Sequence, residues 1–201
     1  MAESVVNRPN EIFIECNGIW EMKNAPQITY ESCFRFGNAL ATYNHDLIHD
    51  TKPILSSVIP TGERVQVVIP PACEKDTISI TIRKPSKTFF SLDNYIESGF
   101  FKQIIQTVKT LPKIDVELLT LFNAKQYAEF LQKAVIYGKN IVIAGETGSG
   151  KTTFMKSLVD FIPLSERLIT IEDTPELFLR NHKNYVHLFY PSEAKQGDLI
   201  T

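Results

Sequence analysis

Gly145-Glu146-Thr147-Gly148-Ser149-Gly150-Lys151-Thr152 is the stretch on which the reading of this chain turns. It fits G-x-x-x-x-G-K-[ST] in full, and each position has a physical reason. Glycines permit backbone angles closed to other residues, so successive main-chain N–H groups can point into one concavity at the positive end of the following helix. A lysine there neutralises the β and γ phosphates, and the hydroxyl after it is a magnesium ligand. The candidate nucleotide-binding residues are Gly145, Thr147, Gly148, Ser149, Gly150, Lys151 and Thr152 with the neighbouring Thr153, and the ligands are Mg2+ and a nucleoside triphosphate, read as ATP although no base-reading motif separates it from GTP. Lys151 is also a candidate catalytic group and Thr152 the candidate metal ligand.

The flanks fit the motif. Residues 140–144 are apolar and read as a short strand, and Phe154, Met155, Leu158, Val159 and Ile162 give the following segment one apolar face up to Pro163. Ordinary residue usage would produce the motif by accident in about one unrelated chain of this length in a hundred, and far fewer between a strand and an amphipathic helix.

Downstream stands Leu168-Ile169-Thr170-Ile171-Glu172-Asp173-Thr174-Pro175-Glu176. A hydrophobic strand ending in acidic residues is where such an enzyme keeps groups that order magnesium or an attacking water. A strand followed by a solvated acidic turn fits the same residues. Strand, loop, helix, strand is the opening of a parallel βαβ sheet. Upstream, Asn123 and Gln126 form a capping-box pattern for a helix carrying Ala124, Tyr127, Ala128, Leu131, Ala134 and Val135 on one face and ending at Gly138.

The N-terminal part reads as a separate α+β unit. Residues 11–16 and 18–22 are short strands around Asn17-Gly18, and 28–43 has helical spacing at Cys33, Phe36, Gly37, Leu40 and Ala41. Two alternating strands follow, 64–69 and 77–83, with Val65, Val67, Ile69 and Ile78, Ile80, Ile82 as their apolar faces. Paired as a hairpin, they set Val65 opposite Ile82, Val67 opposite Ile80, and Arg64 opposite Arg83. Like charges directly opposite are unfavourable unless something negative offsets them. Pro85-Ser86 marks a boundary, giving an N-terminal domain of 1–85, a linker of 86–115 and a phosphate-loop domain of 116–201.

Composition bounds the rest. With 201 residues, 43% of them hydrophobic, the chain can bury a real core, and its formal charge of -2 supplies no field for a polyanion. No basic-then-apolar leader and no run of about 20 apolar residues is present, so the expectation is a cytoplasmic protein. Cys16, Cys33 and Cys73 form no C-x-x-C pair and read as packing residues. His45 and His49 are four apart, but a zinc-protease pattern wants a glutamate directly after the first histidine, where this chain has Asp46. His182 and His187 flank Tyr185 with no recognisable ligand set.

Taken with the segments Pro53-x-Leu55-Ser56, Gly62-Glu63-Arg64-Val65-Gln66, Pro70-Pro71 and Ile78-Ser79-Ile80-x-Ile82-Arg83-x-Pro85-Ser86, the phosphate loop and the 168–176 stretch resemble the traffic ATPase of bacterial type IV secretion systems. That family belongs to the hexameric type II/IV secretion and pilus-motor ATPase superfamily. Type II secretion and pilus ATPases are the nearest alternative, but they carry additional cysteine pairs or a different N-terminal domain.

The resemblance implies an α/β P-loop NTPase with a RecA-like, incomplete parallel sheet, preceded by a small α+β N-terminal domain. It implies a homo-hexamer at the cytoplasmic face of the inner membrane, working with other secretion-system ATPases and inner-membrane components to export protein or DNA. It also implies that Arg64 and Arg83 contact nucleotide phosphates and that Glu172 and Glu176, in the family's aspartate box, are catalytic. The family's Walker B strand and histidine box would lie beyond Thr201, and its first helices before Met1. The expectation is thus a piece truncated at both ends, either a motor subunit or a non-catalytic nucleotide-binding fragment.

Overall fold

The structure is a computed structural model describing residues 2–85, 90–103 and 111–190. Parts of the 86–115 linker and the end of the 116–201 domain expected from the sequence lie outside the described residues. Contacts group the chain into two units, Met1–Pro85 with Leu164–Thr201, and Ser86–Pro163. The cut at Pro163 falls within the 116–201 stretch read from the sequence as one domain.

The first unit is built on a six-stranded antiparallel sheet. Its strands are β1 (Ala2–Val6), β2 (Asn10–Cys16), β3 (Ile19–Ala25), β4 (Ile54–Val58), β5 (Arg64–Val68) and β6 (Ser79–Arg83), in the order β3-β2-β1-β6-β5-β4. The turn at Asn17-Gly18 has φ of 55° and 82°, the doubly positive pair that closes a two-residue hairpin with the twist of its strands. β5 and β6 adopt the register expected from their alternation: Val65 faces Ile82, Val67 faces Ile80 and Arg64 faces Arg83. The sequence reading missed β1 and β4, two short strands on either side of this pair.

Helix α1 (Tyr30–Tyr43) covers one sheet face. Thr29 caps it, and the Ser32 hydroxyl accepts the Thr29 N–H in return, a reciprocal capping box. Cys33, Leu40 and Ala41 of the helix pack with Val6, Leu55, Val65, Val67 and Ile80 of the sheet. Gly37 permits the close approach, since a Cβ there would stand 3.3 Å from Cγ1 of Val67.

The opposite face buries Val5 and Phe13, and residues from the second half of the unit lie against it. These form a parallel pair, β7 (Leu168–Glu172) and β8 (Tyr185–Phe189). Leu188 packs on Val68, Ala72 and Cys73, while a guanidinium nitrogen of Arg167 reaches Oγ1 of Thr81 at 3.5 Å. Asn7 and Asn184 share a buried side-chain hydrogen bond of 2.9 Å. Arg8 donates to the carbonyls of Lys183 and Tyr185 with its guanidinium 4.1 Å above the Tyr185 ring.

The second unit is helical among its described residues: α2 (Leu92–Glu97), a short 3-10 turn (Phe100–Gln103), α3 (Lys113–Asn123), α4 (Tyr127–Ile136) and α5 (Lys151–Val159). Here the structure corrects three sequence expectations. Asn123 is the last residue of α3 rather than a cap. Lys125, at φ 60°, breaks the chain direction and α4 starts after Gln126, which makes no side-chain cap. The end at Gly138 stands: Gly138 N–H bonds to Val135 and Lys139 N–H to Ala134, the paired closure of a left-handed C-terminal glycine.

The second correction is the strand before the phosphate loop. Residues 140–144 form no regular strand, and Val142 is 92% exposed, because no neighbouring strand among the described residues pairs with it. The third is the α5 face: only Leu158 is buried, Phe154 and Met155 are exposed, and the helix stops at Val159. Burial of an apolar stripe needs a partner surface as well as the right period.

Candidate nucleotide-binding site

Residues 145–150 form a turn leading into the N-terminus of α5. Gly148 and Gly150 stand at φ 81° and 87°, values that L side chains adopt only under strain. A Cβ on Gly145 would meet Oγ of Ser149 at 2.6 Å, so a side chain there would have to displace the Ser149 hydroxyl. The Lys151 ammonium donates to the carbonyls of Gly145 at 2.8 Å and Glu146 at 2.7 Å, folding back over the loop.

No side chain caps the start of α5, which leaves its first N–H groups available to an anion. An open cleft of about 470 Å³ is lined by Ile143, Gly145, Ser149, Gly150, Lys151 and Phe154, among others. These features fit a nucleotide polyphosphate. Thr152, half-buried in the first turn, offers one hydroxyl, and that donor set suits magnesium, which keeps water and phosphate oxygens as its other ligands. Thr147 and Thr153 are exposed on the same loop and turn.

The acidic stretch belongs to the first unit. Glu172, at the end of β7, is 9% exposed and accepts four hydrogen bonds. Oε1 takes the Thr170 hydroxyl at 2.6 Å and Nδ1 of His187 at 2.9 Å, and Oε2 takes the N–H groups of Glu176 at 2.8 Å and Leu177 at 3.0 Å. Burial pushes this carboxyl up, but the bonds from Thr170, Glu176, Leu177 and His187 outweigh it and hold it below the usual range. Glu176 itself is exposed.

Arg64 and Arg83 lie on the sheet face away from α1, in a row that continues through Glu3 and Glu15 to Trp20 by direct cross-strand pairing. The structure thus joins Arg64 to Arg83 and Glu172 to the Glu176 backbone. His187 and Thr170 were missed as members of the acidic cluster. The available signal was period two: Thr170 and Glu172 on one strand and Tyr185, His187 and Phe189 on the next share a face once the parallel register is known.

Comparison with known proteins agrees with the motifs. The family described as Type II/IV secretion system protein matches residues 47–197. The chain is 52% identical over 198 residues to the type IV secretion system protein VirB11 of Brucella suis biovar 1 (strain 1330), covering 98% of this chain and 55% of that protein. It is 37% identical to the type IV secretion system protein PtlH homolog of Bordetella bronchiseptica, over 97% of this chain and 58% of that protein. The crystal structure of the VirB11 ATPase from the Brucella suis type IV secretion system, in complex with sulphate, superposes with a TM-score of 0.90 at 51% identity, covering 94% of this chain and 59% of that one. The chain spans about half the length of the curated relatives it matches. Among the described residues no helix is long and apolar enough to cross a membrane.

Proposed function

Because the chain belongs to the Type II/IV secretion system protein family, we propose that it is the ATP-binding part of a motor subunit that hydrolyses ATP to power substrate export or pilus assembly by a type IV secretion system. The observation that carries this reading is the glycine turn at the head of α5, with two left-handed glycines and the Lys151 ammonium folded over it. Such a turn concentrates N–H dipoles and one full positive charge on a phosphate chain. The Brucella suis relative is seen in complex with sulphate, a tetrahedral anion of the same shape as a phosphate group.

In this reading Gly145, Thr147, Gly148, Ser149, Gly150, Lys151, Thr152 and Thr153 bind the nucleotide, and Arg64 and Arg83 supply further positive charge for phosphate oxygens. Thr152 holds Mg2+, which when bound neutralises the charge that develops on the transferred phosphoryl group. Lys151 orients the β and γ phosphates, and Glu172 and Glu176 form the acidic part of the hydrolytic machinery. The domain plan is an N-terminal α+β domain of 1–85, a linker of 86–115 and a RecA-like ATPase domain of 116–201. The assembly is a homo-hexamer at the cytoplasmic side of the inner membrane, beside other secretion-system ATPases and inner-membrane components.

Titration calorimetry with a non-hydrolysable ATP analogue and Mg2+, on the protein and on Lys151→Ala, tests the site, and steady-state turnover tests the reaction. Binding that needs Lys151 is expected. Binding indifferent to the substitution, or none in the parent, would remove the basis for this reading.

A further inference from the structure

Of the two carboxylates assigned to hydrolysis, Glu172 faces inward and Glu176 outward. A carboxylate has about four lone-pair directions. Those of Glu172 are met by four donors, the Thr170 hydroxyl, His187 Nδ1 and the N–H groups of Glu176 and Leu177. Its side chain is 9% exposed and that of His187 is 7% exposed. A carboxylate so committed has no free lone pair with which to draw a proton from water.

The protons in this cluster can be placed. An ionised Glu172 oxygen only accepts, so its 2.9 Å contact with His187 Nδ1 requires a proton on that nitrogen, and the Thr170 hydroxyl, 2.6 Å from both, is then left to donate to Oε1. His187 Nε2 has no hydrogen-bond partner among the described residues. The imidazole thus serves Glu172 from one nitrogen. The carboxylate in turn holds two consecutive amides of the turn that follows it, at positions 176 and 177. The Glu176 side chain has no hydrogen bond or ion pair among the described residues and stands in solvent.

We propose that His187 is a positioning residue of the ATPase: it fixes Glu172, Glu172 clamps the turn through residue 177, and the clamped turn presents Glu176 as the acidic group that meets the attacking water. This rests on the motor-ATPase reading and divides the labour between its two glutamates. Glu172 acts through geometry, Glu176 on the reacting water.

Two measurements on the same variants test it. Amide hydrogen exchange at Glu176 and Leu177, read by NMR without nucleotide, reports the clamp whether or not the protein hydrolyses ATP. Protection at both amides should fall roughly tenfold to a hundredfold in His187→Leu and Glu172→Gln, as expected for losing hydrogen bonds to a charged group. It should persist in Glu176→Gln and in His187→Asn, whose amide can replace the Nδ1 donor. ATP turnover should fall by about a hundredfold in His187→Leu with KM little changed, the size of effect known for a misplaced catalytic group. His187→Asn should recover most of it, and Glu176→Gln should lose turnover with the clamp intact. Unchanged protection in His187→Leu, failure of His187→Asn to rescue, or full turnover in Glu176→Gln would each overturn the proposal. Absence of turnover in the parent protein would instead overturn the motor reading, with the exchange data still deciding the clamp.

Discussion

Arg64 and Arg83 are direct cross-strand partners on β5 and β6, and Arg83 has Glu3 as its partner on the other side. The row therefore runs positive, positive, negative, with a second acid, Glu15, opposite Glu3. Glu3 stands directly opposite Arg83, while exposed Arg64 makes no ion pair among the described residues. Removing the charge of Arg64 should relieve the repulsion and stabilise the nucleotide-free protein by about 0.2–1 kcal/mol, the scale of a like-charge cross-strand pair. If Arg64 binds phosphate, the same Arg64→Ser substitution should weaken ATP binding and flatten its salt dependence. Thermal melts and calorimetry at two salt concentrations read both effects. Lower stability together with unchanged affinity would assign Arg64 a packing role only.

Glu172 gives a pH prediction. Its folded-state pKa is depressed, so its contribution to stability is present above the ordinary carboxylate pKa and is lost as pH falls through the depressed value. At neutral pH Glu172→Gln should cost about 1–3 kcal/mol, because buried donors lose an ionised acceptor. The gap between the parent and Glu172→Gln should begin to narrow as the pH drops below the ordinary glutamate pKa of about 4.3 and go on narrowing as it passes through the depressed folded-state value. Parallel melting curves for the two proteins from neutral to acid pH would show that Glu172 is not the titrating anchor.

The phosphate loop yields a third prediction. Gly150, the residue that leads into α5, sits at φ 87°, and an alanine in that conformation costs about 1–2 kcal/mol. The loop can relieve the strain only by moving, which displaces the N–H groups that meet the phosphates. Gly150→Ala should therefore weaken binding of an ATP analogue by about tenfold or more while α5 remains folded by circular dichroism. Undiminished affinity would mean that the left-handed geometry is dispensable for binding.

Local chemistry made the hairpin at Asn17-Gly18, the helical spacing of α1 and the β5–β6 register legible from residues alone, since each depends on neighbours in sequence or on strict periodicity, whereas the Thr29 cap of α1 was missed. Two of the failures have one cause in common. Residues 140–144 have the composition of a buried strand, and α5 has an apolar stripe, but a strand needs a hydrogen-bonding neighbour and a stripe needs a covering surface. The capping pattern at Asn123 failed because α3 already occupied that residue, a competition between adjacent helices that spacing cannot rank. The acidic cluster was half legible. Glu172 and Glu176 lie in one motif, whereas His187 joins them only through the parallel pairing of β7 with β8.

Arg167 poses a question of net energy. It enters the face of the sheet opposite α1, where its terminal nitrogen meets Asn7 Oδ1 and Thr81 Oγ1 at 3.5 Å each, the outer limit of a hydrogen bond. Its Nε is buried with no partner in the described residues, and the guanidinium centre lies 5.8 Å from the Trp20 ring. Burial depresses its pKa, and nearby Glu3 only partly restores it. A guanidinium is costly to desolvate, and long contacts with neutral oxygens return little of that cost. The aliphatic stem, in contrast, packs well in such a place. Arg167→Met, which keeps the stem and removes the charge, should therefore leave stability unchanged or raise it by up to about 2 kcal/mol. Arg167→Ala should destabilise, because it removes the packing as well. Urea unfolding of the three proteins distinguishes the cases: a Met variant as unstable as the Ala variant would mean that the charge itself, through Glu3 and Trp20, holds β7 against the sheet.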